Sequence, residues 1–261
     1  MTSAFLLDLC QCIGCQGCVL ACNTGNELGD GVQYIEISES VRGTFPDLTG
    51  GFANHRCYHC TDAACVSVCP TGSLFQTDGL TRVDPSICSG CRYCTQACPW
   101  QVPTMVNGVA RKCDGCHDTV QAGGTPWCVQ TCPSDALKFG PRDEIAAEAH
   151  FRAAAYREAR PNAQVYGESQ AGGLGMLVVL PDDPEVLGLP VDPDPPLIAA
   201  TLKRVVQPVA VGVLGATIAG AGIAAVIARR NQQRLAAAES EAEVPAGVAA
   251  AEGSEDDEVT S

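Results

Sequence analysis

The sequence predicts an α+β body of short strands and helices folded as two lobes, followed by one long apolar helix and an acidic tail. Three observations carry this reading. Sixteen of the seventeen cysteines fall into four groups of four between residues 12 and 132. A stretch of 24 residues, 205–228, holds no charge and is flanked by Lys203 and Arg204 before it and by Arg229 and Arg230 after it. The composition also changes twice, to a Pro- and acid-rich segment from Pro181 to Pro196, and to an Ala-, Glu- and Asp-rich end from Asn231 to Ser261.

The cysteine spacing carries the chemistry. Cys12, Cys15, Cys18 and Cys22 are spaced C-x2-C-x2-C-x3-C, and Cys88, Cys91, Cys94 and Cys98 repeat that spacing before Pro99. Cys57, Cys60, Cys65 and Cys69 end at Pro70, and Cys113, Cys116, Cys128 and Cys132 end at Pro133; both keep a C-x2-C start and a C-x3-C end. Three thiolates in one short loop reach three iron corners of a single 4Fe-4S cube, while the fourth lies past a bend that a following proline helps to end. Zinc fits less well, because its tetrahedral sites draw on two separated cysteine pairs. A disulfide framework belongs to small secreted domains; this chain is longer, and Met1 to Leu9 holds neither a base nor the apolar core of an export signal. Cys10 is left over and reads as a small buried side chain on a strand from Ala4 to Leu9.

In two-cluster ferredoxins with such a run, the fourth cysteine ligates the neighbouring cluster, so the motifs work in pairs. The second and third groups are adjacent in sequence and are expected to form one ferredoxin-like lobe; the first and fourth close around it as the other. The expected ligand sets are Cys12, Cys15, Cys18 with Cys132; Cys113, Cys116, Cys128 with Cys22; Cys57, Cys60, Cys65 with Cys98; and Cys88, Cys91, Cys94 with Cys69.

Four oxidised cubanes with thiolate ligands lower the formal charge from −14 to about −22. Arg56, Arg92, Arg111 and Lys112 lie beside the cysteines, either as charges that favour the reduced cluster or as solvated surface bases. No basic stripe suggests nucleic acid. His55, His59, His117 and His150 are too scattered to argue as haem ligands.

Residues 1–140 therefore form the four-cluster region, in which Ser73–Gln76 and Leu80–Val83 read as short strands and metal ligation supplies much of the folding energy. Residues 141–204 hold a helix from Arg142 to Arg160, between Pro141 and Pro161, then a strand at Met176–Leu180 and an extended Pro-rich linker. The 205–228 stretch is long enough to cross a bilayer as a helix. Gly212, Ala216, Gly220, Ala224 and Ala228 place a small-residue stripe along it, either a surface for close helix approach or ordinary Gly/Ala richness. With no ionisable residue it is an anchor or docking helix, not a proton or quinone path. Residues 229–261 read as a disordered acidic tail.

Beyond the cysteine runs, the chain resembles the four-cluster ferredoxin-like subunits of membrane molybdenum and tungsten oxidoreductases, and most closely the beta subunit of respiratory formate dehydrogenase. The resemblance covers most of the chain. It is carried by the four motifs in order, by Cys57-Tyr58-His59-Cys60, by Cys98-Pro99-Trp100-Gln101-Val102-Pro103, and by Cys132-Pro133 with Ala136-Leu137-Lys138-Phe139-Gly140. Val165-Tyr166-Gly167 onward to Leu180, Gly188-Leu189-Pro190 and the single C-terminal apolar stretch favour formate dehydrogenase in particular. The resemblance implies a non-catalytic electron-transfer subunit with four 4Fe-4S clusters and the same motif pairing. It implies as partners a large catalytic subunit with a Mo/W-pterin centre and a small multi-span cytochrome b with haem b, through which quinone is reduced. Another catalytic subunit, such as a hydrogenase, a polysulfide or thiosulfate reductase or another molybdoenzyme, fits the same relay. A non-redox metal scaffold is the reading furthest from these motifs.

Arg229, Arg230 and Arg234 outnumber the two bases before the stretch, so the positive-inside rule places the C-terminus in the cytoplasm and the cluster body on the outer side of the cell membrane. Protease added to intact spheroplasts is then expected to digest the body; a sheltered body would overturn that orientation.

Overall fold

A computed structural model of the protein describes residues 3–193 and 207–242. Its elements are, in chain order, β1 (Ser3–Asp8), α1 (Gly17–Gly25), β2 (Ile35–Thr44), β3 (Asp47–Arg56), α2 (Ala64–Ser67), β4 (Leu74–Thr77), β5 (Leu80–Val83), α3 (Tyr93–Ala97), β6 (Thr104–Val106), β7 (Val109–Arg111), α4 (His117–Gln121), α5 (Trp127–Gln130), β8 (Leu137–Pro141), α6 (Arg142–Tyr156), β9 (Gln164–Tyr166), β10 (Met176–Leu180) and α7 (Gln207–Ala242). The protein divides into two units between Val205 and Val206.

The first unit is organised by two consecutive apolar runs, Ala4–Leu7 and Met176–Leu180. Strands buried on both faces read as continuous apolar runs instead of alternating ones, and these form the centre of a four-stranded sheet of order β8-β1-β10-β9. β1 runs parallel to β10, with Phe5 beside Met176, and antiparallel to β8, with Leu7 beside Leu137. Alternate side chains then face two different layers. Ala4, Leu6, Leu177 and Val179 meet Ile145, Ala149 and Ala153 of α6. Phe5, Leu7, Met176, Val178 and Leu180 face the opposite way, onto Cys18, Val19, Cys22, Tyr58, Trp100 and Cys128. Each fully buried Leu or Phe contributes roughly 1.5–3 kcal/mol, a stabilisation that owes nothing to metal.

The other strands are local hairpins: β2 with β3, β4 with β5, and β6 with β7. The pairs β4–β5 and β6–β7 lie between cysteine groups, which agrees with the short strands read from Ser73–Gln76 and Leu80–Val83. β10 spans the residues expected. The helix expected over Arg142–Arg160 is regular only to Tyr156; beyond it Arg157 and Ala159 bond three residues back, to the carbonyls of Ala154 and Tyr156, and the chain tightens into a turn before Pro161. Segment 164–180, which the sequence reading sets apart from the cysteine region, supplies two of the four strands of the sheet. The expected extended linker is docked over its first part: Pro184–Leu187 forms a 3-10 turn and the Tyr166 hydroxyl donates to the carbonyl of Pro190. Cys10 follows β1 instead of belonging to it, half-buried against the α6 layer.

In the second unit, α7 is a single helix of 36 residues. It continues through Arg229–Ala242, where the sequence reading expects disorder; that stretch is rich in Ala, Gln, Arg, Leu and Glu, all strong helix formers. Among the described residues no helix is long and apolar enough to cross a membrane. The span expected over 205–228 begins outside the described residues and is not confirmed, and residues 243–261 of the expected tail also lie outside them.

One buried ion pair locks the sheet to α6. Asp8 is fully buried; its Oδ1 accepts from the amide of Cys10 at 2.9 Å, and its Oδ2 accepts from Tyr156 Oη at 2.9 Å and Arg152 Nη1 at 3.3 Å. Arg152 also reaches Glu148 through Nε at 2.8 Å and Asp135 Oδ2 through Nη2 at 3.0 Å. Removing one member of such a pair strands the other charge in the interior. Arg152→Met is expected to destabilise the first unit by roughly 3–5 kcal/mol, measured by denaturant unfolding of the anaerobically loaded protein.

Candidate iron–sulfur sites

Three of the four cysteine groups begin C-x-G-C, and the glycine takes a left-handed conformation in each: Gly14 at φ 66°, Gly90 at 71° and Gly115 at 75°. The turn folds the loop back so that successive sulfurs face one interior. At Gly14 a side chain is excluded twice over, since a Cβ would lie 2.3 Å from the ring of Phe52. The second group breaks the pattern. His59 occupies the glycine position at φ 51°, a conformation few side chains adopt. It is held there by Thr81, whose amide donates to His59 Nδ1 at 3.1 Å. Burial, then the charges of Lys112 and Arg56, push this imidazole well below its ordinary pKa, so it is neutral.

Short helices bring the sulfurs together across the sequence. α1 carries Cys18 and Cys22 and packs on α5, which carries Cys128; a Cβ at Gly25 would sit 2.4 Å from the Trp127 indole. α2 carries Cys65 and packs on α3, which carries Cys94. Four quartets result. Cys12, Cys15, Cys18 and Cys132 line one cavity, and Cys57, Cys60, Cys65 and Cys98 line a second. Cys22 is coupled to Cys128 and Cys116, and Cys113 to Cys22, which forms a third set. Cys94 is coupled to Cys91, Cys69 and Cys88, which forms the fourth. The first and fourth sequence groups thus interleave, as do the second and third.

The quartets follow one another in space. Cys18 feels Cys128, Cys113 feels Cys57, and Cys65 feels Cys94, so each quartet is electrostatically linked to the next. The first and last members are open to solvent at Cys15 and Cys91. Apolar side chains lie exposed near each: Ile13 and Leu20 at one end, Ile87 and Tyr93 at the other.

Burial raises several of these thiols, whereas hydrogen bonds lower Cys69 and Cys88. Cys18 is pushed up to about 11 and Cys22 to about 12, first by burial, although Arg56 pulls the other way. Cys65 is pushed to about 12 by burial and then by repulsion from Cys57. Two of the four bases named from sequence are buried among these sulfurs. Arg56 donates through Nη2 to Cys128 Sγ at 3.2 Å, and Lys112 donates through Nζ to Cys57 Sγ at 3.5 Å. Arg92 and Arg111 are exposed, so the surface reading holds for those two.

The donor set fits 4Fe-4S clusters. A four-iron cube takes one thiolate at each iron corner, so its ligands surround a space. Amides are aimed at the sulfurs as well: Leu74 toward Cys69 at 3.5 Å, Ala110 toward Cys88 at 3.4 Å and Gly115 toward Cys113 at 3.4 Å. Arg56 Nε and Nη1 are buried among the quartets with no partner, unusual for charged donors unless negative charge is to sit there.

Two interleaved pairs of cysteine quartets define a double dicluster iron–sulfur protein. Comparison with known proteins agrees: two families, each described as a 4Fe-4S dicluster domain, match residues 11–73 and 48–142. The protein is 40% identical over 152 residues to the B subunit of the anaerobic dimethyl sulfoxide reductase of Escherichia coli (strain K12), an alignment that covers 54% of this sequence and 74% of that one. It is 42% identical over 149 residues to the thiosulfate reductase electron transfer subunit PhsB of Salmonella typhi, covering 53% and 76%. It is 43% identical over 147 residues to protein NrfC of Escherichia coli (strain K12), and spans 66% of that protein's length. The protein belongs to this family of ferredoxin-like 4Fe-4S proteins.

Sequence reasoning did not single out His59 or the burial of Arg56 and Lys112. The signal for His59 was in view: it stands where the other three groups have glycine.

Proposed function

We propose that this protein is a non-catalytic electron-transfer subunit whose sixteen cysteines hold four 4Fe-4S clusters in the quartets described. The single observation that carries the reading is the succession of four thiol quartets from an exposed Cys15 to an exposed Cys91. When bound, each cluster accepts and gives one electron at a time without bond making. The protein's own residues space the quartets, leave the two ends most open to solvent and set the charge around each. Exposed apolar side chains at both ends support two different partners, one giving and one taking electrons.

The narrower reading is a relay between a formate-oxidising Mo/W-pterin subunit and a membrane cytochrome b carrying haem b. It rests on the resemblance over 165–190 and on the C-terminal apolar stretch. The names of the relatives favour a reductase partner equally, with dimethyl sulfoxide or thiosulfate as acceptor and the opposite direction of flow. Membrane attachment rests on the charge-free stretch 205–228 and its flanking bases.

Two experiments test these levels. Cys22→Ser is expected to alter the same paramagnetic signal as Cys128→Ser, 106 positions away, and a different one from Cys18→Ser, four positions away. The opposite grouping would refute the interleaved ligand sets. In low-temperature paramagnetic resonance of the natively purified complex, formate is expected to produce reduced cluster signals rapidly. Clusters reduced by dithionite but not by formate would remove formate and leave the relay standing.

A further inference from the structure

Two cations lie in the interior of the first unit without a carboxylate. Arg56 is 1% exposed and Lys112 4%, and among the described residues neither pairs with an acid. The third buried cation, Arg152, has Asp8. An uncompensated interior charge is strongly unfavourable, so both sites are built for negative charge that the sulfurs supply.

Their positions are not equivalent. Arg56 touches Cys128 and acts on Cys18 and Cys113, so it stands between the quartet of Cys12, Cys15, Cys18 and Cys132 and that of Cys22, Cys113, Cys116 and Cys128. Lys112 is fixed by the carbonyls of Thr81 and Cys113 and touches Cys57, so it stands between the second of these and the quartet of Cys57, Cys60, Cys65 and Cys98. At the next junction, from Cys65 to Cys94, no buried base is present among the described residues; Cys69 and Cys88 instead accept from the uncharged amides of Leu74 and Ala110.

We infer that Arg56 and Lys112 form an interior cationic spine that holds the transferred electron most strongly at the quartet of Cys22, Cys113, Cys116 and Cys128, and least at that of Cys69, Cys88, Cys91 and Cys94. Reduction adds one negative charge to a cluster with no bond made or broken, and nearby fixed positive charge favours the reduced state. The quartet faced by both cations gains from both, its two neighbours from one each, and the last from neither. This rests on the proposal that each quartet holds a 4Fe-4S cluster; within that proposal Arg56 and Lys112 are positioning residues for charge, not ligands.

The test is a dithionite redox titration of the anaerobically purified complex, followed by paramagnetic resonance, with iron and sulfide measured first. The signal of the doubly faced quartet is assigned as the one lost in Cys116→Ser, and that of the last quartet as the one lost in Cys91→Ser. Arg56→Gln and Lys112→Gln are each expected to lower the midpoint potential of the first signal and to leave the second in place. Where a neutral variant loses iron, Arg56→Lys and Lys112→Arg decide: each keeps its charge but moves it relative to the sulfurs, so the first signal must shift more than the second. Full cluster content with unmoved potentials, or a larger shift at the last quartet, would overturn the spine. Wild-type complex without iron and sulfide for four clusters would overturn the underlying proposal instead.

Discussion

Four thiol sulfurs gather around one small space, four times over, and the loops, short helices and buried bases of the first unit are arranged around that gathering. Burial, joined by repulsion from neighbouring sulfurs, pushes Cys18 up to about 11 and Cys22 up to about 12 and favours their protonated form. Metal has to displace those protons, so loading and folding are coupled. The interleaved sets strengthen the coupling. Each quartet takes three sulfurs from one group and one from its partner group, so no group can complete a site alone.

The sheet offsets the weakness of that arrangement. Loops rich in Gly and Cys bury little apolar surface, yet Phe5, Leu7, Met176 and Val178 present an apolar floor to them. β1 also leads directly into the first cysteine group, and β8 leaves the fourth. Pairing β1 with β8 therefore brings those two groups together through the sheet. Asp8 and Arg152 extend the same logic, since Arg152 reaches both the end of β1 and Asp135 just past Cys132.

The two lobes are similar in plan and unequal in chemistry. Glycine makes the tight turn in three groups, and in the second His59 makes it with the help of Thr81. Thr81 also gives its carbonyl to Lys112, so the departure from the pattern and the buried cation share one support. A left-handed histidine is tolerated where an interior charge is placed.

The grouping of the cysteines was legible in the bare sequence, because cysteine spacing within a loop is local: a C-x2-C-x2-C run brings the same sulfurs close whatever surrounds it. β10 was legible too, since five consecutive apolar residues bounded by Gly175 and Pro181 have little choice but a buried strand. Which bases are interior emerged only from the packing of remote segments. Arg56, Arg92, Arg111 and Lys112 look alike in sequence, yet Arg56 is covered by Phe5 and Cys128, far away along the backbone. The union of residues 164–180 with the cysteine region is likewise a tertiary outcome, because a parallel pairing between β1 and β10 leaves no local mark in either strand.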